Sequence, residues 1–126
     1  MSTLPALVWI ALGGAAGSVA RALVAQSLPA RFPWATLLVN GLGSLLIGWL
    51  MARLGPGETG TAAALRHLLV AGFCGGFTTF SALALEVNTL VERRAYGPAT
   101  LYLAITLVGG VAACAAGLWL GRQLTP

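Results

Sequence analysis

Charge is what this chain has least of. Only 8% of its 126 residues are charged, and four stretches carry no Asp, Glu, Lys or Arg at all: Ser2 to Ala20, Trp34 to Ala52, Leu68 to Leu85 and Ala95 to Gly121. A soluble fold of this length could not cover its surface with so few polar groups, which excludes a water-soluble domain. Cysteine is almost as scarce. Cys74 and Cys114 both lie in apolar runs with no second thiol or imidazole at ligand spacing, so neither a disulfide nor a metal site is indicated, and both read as small packing groups. No Lys or Arg precedes Trp9 and three more apolar segments follow, so a cleavable leader is not predicted. The nucleophile, base and ligand groupings that mark an enzyme are missing too.

What remains is apolar: 58% of residues are hydrophobic and the mean hydropathy is +0.88. A helix crosses a bilayer in roughly 20 apolar residues. The pattern predicts an all-α membrane protein, one transmembrane domain over 1–126, with helices at about 4–28, 33–54, 63–92 and 97–123, the third broken near 75–79. Pro29 and Pro33 bracket a short connection containing Arg31, Gly55-Pro56-Gly57-Glu58-Thr59-Gly60 is the one clear loop, and Gly97-Pro98 opens the last helix. Trp9, Trp49, Tyr102 and Trp119 are expected at interface depth. A net charge of +4 and a pI near 10.1 fit arginines anchored at segment ends better than a nucleic-acid face, because the arginines are scattered.

Those arginines divide evenly. Arg53, Arg66 and Arg122 fall on one side of the membrane and Arg31, Arg93 and Arg94 on the other, with Arg21 inside the first helix, so the positive-inside rule has nothing to act on. The balance predicts insertion in both orientations and pairing of inverted copies. Small residues four apart recur in every segment, as Gly13 and Gly17, Ser44 and Gly48, Gly72 and Gly76, and Gly117 and Gly121. Such pairs let helix backbones approach closely.

Several residues are costly in lipid. Arg21 reads equally as a snorkelling interfacial group or as a fixed cation buttressing a polar centre. Thr36, Asn40, Ser44 and Gly48 form one polar or small stripe, suited to interhelical glue or, as the favoured reading, to a path for a small polar solute. Three glycines and three hydroxyls crowd Gly72-Phe73-Cys74-Gly75-Gly76-Phe77-Thr78-Thr79-Phe80-Ser81. Glycine costs about 1 kcal/mol against alanine in a helix, so the run predicts a helix that breaks and restarts, with freed carbonyls able to hold a cation. A straight, closely packed glycine face is the plainer alternative. Phe80 carries an electropositive ring edge that an anion can meet, though most phenylalanines merely pack. Glu86 is open between proton coupling, an anion path and an interfacial role. Tyr102, Thr106 and Gly110 make a second stripe, whereas His67, Glu92, Arg93 and Arg94 read as membrane-edge residues.

Taken together, Gly13-Gly14-Ala15-Ala16-Gly17-Ser18-Val19-Ala20-Arg21, Thr36-Leu37-Leu38-Val39-Asn40-Gly41-Leu42-Gly43-Ser44 and the Gly72 to Ser81 run resemble the bacterial Fluc fluoride channels, also called the CrcB family, over nearly the whole chain. The resemblance implies an antiparallel, dual-topology homodimer in the bacterial inner membrane, with two fluoride pores and a structural, untransported sodium ion held by backbone carbonyls at the positions of Gly75 and Thr78. It further implies that Asn40 donates a hydrogen bond in the pore, Phe80 presents its ring edge to fluoride, and Ser81 and Thr79 join a polar track. Tyr102, Thr106 and Glu86 align with lining or vestibule positions, and Arg21 supports the centre. One departure stands out: Leu83 occupies the place of a second phenylalanine often found three residues after the first, and conduction is expected to survive it.

The function so implied is passive export of cytoplasmic fluoride that relieves its toxicity. Hydrogen fluoride enters from acidic surroundings, dissociates, and the trapped anion leaves down its gradient through donors that replace its water. A small multidrug or guanidinium exporter shares the short, four-helix, dual-topology plan. It needs a central carboxylate, typically in the first helix; here Glu86 would have to serve. A scaffold subunit without ion flux is the third class.

Overall fold

The computed structural model describes residues 3–57 and 59–124; Ser2 of the first uncharged run and Glu58 of the expected loop lie outside them. The described chain is all helix. Helix α1 spans Thr3–Ser27 and α2 spans Trp34–Leu54. Next, α3 starts at Gly60–Leu65, widens into π-helical turns over Arg66–Cys74 and closes with the turn Gly75–Phe77. The chain restarts as α4, Phe80–Glu92, and ends in α5, Tyr96–Gln123. Four stretches are long and apolar enough to cross a membrane: α1, α2, Gly60–Glu92 taken as one, and α5.

Local chemistry sets the ends. Helix α2 stops at Gly55, which adopts a left-handed φ of 63° while its N–H reaches back to Met51 O. After α4, Arg94 takes a φ of 57°, Arg94 N–H bonds to Val91 O at 2.9 Å and Ala95 N–H to Leu90 O at 2.9 Å. That pair of bonds is a Schellman stop. An Arg66 guanidinium N–H donates to Gly55 O and so ties the loop to the start of the π-helical turns.

Two close pairings organise the bundle, each between parallel helices. On α1, a Cβ at Gly13 would strike the Leu68 carbonyl and stand 2.8 Å from Phe73 N; one at Gly17 would strike the Phe73 carbonyl and stand 2.8 Å from Phe77 N. From the other side, a Cβ at Gly72 would fall 2.8 Å from Ile10 O, and one at Gly76 would meet the Gly14 carbonyl. The second seam joins α2 to α5, where Gly48 rests on Cys114 and Leu118 and Gly117 rests on Leu45 and Trp49. The repeated small pairs are therefore backbone contacts between helices. A small core of Leu83, Leu90, Ala99 and Tyr102 joins α4 to α5.

Three differences from the sequence expectation have physical causes. The third spanning stretch begins at Gly60 rather than near 63, and α1 closes at Ser27, whose hydroxyl bonds back to Leu23 O at 2.7 Å. The rupture falls inside the expected 75–79, at Thr78 and Thr79, both extended, while Gly75 is helical at φ −61°, ψ −40°. Gly72 and Gly76 serve close packing against α1, as the alternative reading of the glycine run had it. Tyr102 is no interfacial anchor either, being 0% exposed.

Replacing Gly17 by valine should cost about 1–3 kcal/mol of stability, because backbone rather than a yielding side chain blocks the new atoms. Gly109, where an added methyl would meet nothing within 4 Å, is the control. Thermal melts in detergent should show a lowered midpoint for Gly17→Val and none for Gly109→Ala.

Candidate functional site

The break between α3 and α4 opens a groove of about 540 Å³ whose walls are α2, α3, the start of α4 and α5. None of its lining residues is charged. Its polar groups are those of Asn40, Ser44, Thr78, Thr79 and Thr106, with Gly75 and Phe80 beside them.

Buried Asn40 holds the break together. Its Nδ2 donates to Thr79 O at 3.1 Å, and its Oδ1 accepts from Thr79 N–H at 2.7 Å. In an unbroken helix that N–H would bond to Gly75 O, so the Gly75 carbonyl loses its ordinary donor. Thr78 O loses its donor likewise, since Ala82 N–H bonds instead to Thr79 Oγ1 at 3.1 Å. This makes Thr79 the N-cap of α4. Behind the break, Arg21 Nε donates to Gly76 O at 3.0 Å, the carbonyl Phe80 N–H would have reached. Arg21 thus supports the break from the α1 side, and its charge is anchored on a carbonyl rather than free at the interface. Thr78 stays tied to α3 through N–H and hydroxyl bonds to Cys74 O, at 3.0 and 2.8 Å.

Other expected site residues divide between this groove and a second cluster. Phe80 is 73% exposed at the head of α4, and exposed Ser81 places its hydroxyl 3.3 Å from that of Thr79. Thr106 lines the groove with its hydroxyl buried and unpartnered. Glu86 and Tyr102 lie elsewhere, in the second cluster: Tyr102 OH donates to Glu86 Oε2 at 2.6 Å and Thr36 Oγ1 to Glu86 Oε1 at 2.8 Å. The cluster borders a pocket of about 300 Å³ flanked by Arg31 and Arg93. Thr36 and Asn40, one turn apart on α2, link the two. Leu83, 2% exposed, packs in the core with Tyr102 while also reaching the groove wall.

Sequence reasoning missed two partners. Thr36 appeared only within a stripe, and its carboxylate contact spans 50 positions. Phe32 was not singled out at all; its ring meets Tyr102 edge-on at 5.4 Å and Trp34 at 4.7 Å, steadying Tyr102 from the short connection. The signal available was an aromatic pair flanking Pro33. Among the described residues no group of three His, Cys, Asp or Glu side chains could hold a metal.

Truncating Asn40 to alanine strands both an N–H and a carbonyl of Thr79, each worth about 1–3 kcal/mol when buried and unpaired. Thr79→Val removes the cap at about 1 kcal/mol, and Thr79→Ser keeps it. Unfolding midpoints should therefore fall in the order Thr79→Ser, Thr79→Val, Asn40→Ala.

Known proteins share these features. Residues 8–118 match the family model described as CrcB-like protein, Camphor Resistance (CrcB). Similar curated proteins include the fluoride-specific ion channel FluC of Agrobacterium fabrum, 44% identical over 119 residues, covering 91% of this chain and 94% of that protein. The FluC of Sphingopyxis alaskensis is also 44% identical, with 91% and 94% covered, and FluC 1 of Ligilactobacillus salivarius is 37% identical, with 92% and 99% covered. Since the matched span contains the Asn40 clamp, the broken α3–α4 stretch and both glycine seams, this multi-pass membrane protein belongs to the CrcB family.

Proposed function

We propose that the chain is a fluoride channel through which cytoplasmic fluoride leaves a bacterium passively across its inner membrane, relieving fluoride toxicity. One observation carries the reading: the break leaves an uncharged groove with an unpartnered buried hydroxyl and a nearly bare Phe80 ring, in a chain about 40% identical to proteins named fluoride-specific channels. Fluoride is small and strongly hydrated, so neutral O–H and N–H donors must replace its water without trapping it. The Phe80 ring edge adds weak positive potential, and the amides at the start of α4 add more. Arg31 and Arg93 at the pocket beside Glu86 suit an anion-collecting mouth, from which Thr36 and Tyr102 lead inward to Asn40, Thr79 and Ser81. Movement of an ion along such a path makes and breaks no covalent bond, and the protein is not an enzyme.

The working unit of this reading is an antiparallel homodimer. Arginines are balanced across the membrane, and the face containing Phe80 and Gly75 is left open in a single copy. Two inverted copies would bring four carbonyls, those of Gly75 and Thr78 from each, to one centre. These carbonyls suit a sodium ion because both lack their helical donors and carry no competing charge. Bound there, sodium supplies fixed positive charge that offsets the cost of anions in the membrane. Arg21 holds the neighbouring Gly76 carbonyl and keeps the α3 end in shape.

Reconstituted protein should release fluoride from liposomes, read by a fluoride electrode, at a rate indifferent to a pH gradient, and Phe80→Ile should slow it at least tenfold. Release of guanidinium driven by a proton gradient would instead establish the exporter reading. Sodium at many times its Kd should raise the melting temperature over a potassium-only preparation, by about 2.7 kcal/mol of added stability at a hundredfold excess; an unchanged midpoint removes the ion.

A reporter joined to the C-terminus should be found on both sides of the membrane. Detection on one side alone refutes dual topology.

A further inference from the structure

Four hydroxyls of this chain turn back onto the backbone four residues earlier. Ser27 donates to Leu23 O, Thr78 to Cys74 O, Thr89 to Leu85 O and Thr100 to Tyr96 O, at 2.7 to 2.9 Å. Each bond uses the single proton a hydroxyl can donate. Two hydroxyls on the groove wall make no such bond. Thr106, 7% exposed, has no partner for Oγ1. Ser44 Oγ likewise makes no hydrogen bond with any described residue.

Ser44 stands opposite the turn of α5 that follows Thr106. Ser44 follows Asn40 by one turn of α2, Gly110 follows Thr106 by one turn of α5, and the helices run parallel in contact. A Cβ on Gly110 would lie 3.6 Å from Ser44 Oγ, an ordinary contact distance. The stripe of Tyr102, Thr106 and Gly110 therefore runs out of hydroxyls at its third position, just where Ser44 leans across from the other helix.

We propose that Ser44, together with Thr106, forms a second anion station in the groove, one turn beyond Asn40, with Ser44 filling the role that a side chain at position 110 cannot. The proposal rests on the fluoride reading above. No charged residue lines this groove, so an anion there must be met by neutral donors. A small anion of high charge density gains most from O–H donors, and a larger halide gains least. Loss of the Ser44 donor therefore penalises fluoride selectively.

Fluoride efflux from liposomes tests it with four proteins. Wild type sets the rate; Ser44→Ala should fall about tenfold; Gly110→Ser should stay within about twofold of wild type; and the double variant Ser44→Ala with Gly110→Ser should recover at least half the lost rate, because a hydroxyl returns to the same space from the facing helix. Efflux of Ser44→Ala at the wild-type rate overturns the station, as does a double variant no faster than Ser44→Ala. If Ser44→Ala elutes aggregated, threonine and valine at position 44, which share a shape, decide: equal rates overturn the station and a faster threonine upholds it. A wild type that passes no fluoride sinks the channel reading itself, which separates the two failures.

Discussion

Asn40 and the backbone of Thr79 form the contact on which the arrangement depends. Inside a bilayer no water is at hand to satisfy a main chain that leaves its helix, so a rupture survives only if every exposed group finds a substitute. One asparagine amide meets both requirements at a single residue, accepting from the Thr79 N–H and donating to its carbonyl. The Thr79 hydroxyl then caps α4, and Arg21 satisfies Gly76 O from α1. Because Asn40 takes the amide that Gly75 O would have used, the same bond that stabilises the break also frees a carbonyl beside it. Stability and polarity at this site have one cause.

The glycine seams give that cause its setting. Close approach of α1 to α3 and of α2 to α5 holds each pair as a unit, and the looser contact between the pairs leaves the groove between them. Bulk at Gly13 or Gly17 would separate α1 from the Gly76 carbonyl that Arg21 must reach. Packing far from the groove thus fixes its geometry.

How much of this could be read beforehand depended on the range of the interaction. Four uncharged runs and the loop prolines located the spanning helices, because length and composition alone decide whether a segment suits lipid. The small pairs were equally plain. The break was expected near the right place but for the wrong reason: glycine in a helix signals either a weak point or a close neighbour, and only the position of α1 tells which. Gly72 and Gly76 proved to be contact surfaces, and the rupture fell on two threonines. Thr79 as a cap was in principle visible, a hydroxyl three residues before the amide it binds. The Thr36, Glu86 and Tyr102 cluster was not, since it joins residues from three helices, and Tyr102 looked like an interfacial aromatic until its depth was known.

A bend fastened from three directions, by Asn40, Thr79 and Arg21, offers no hinge. Gly72 and Gly76, two of the three glycines beside it, are pressed against the backbone of α1. Devices that rock between inward-facing and outward-facing shapes need an articulated joint near their binding centre, and here the bend at that place is tied by hydrogen bonds from two other helices. If the proposed channel reading holds, discrimination between solutes would then rest on resting shape and chemistry rather than on a closing motion.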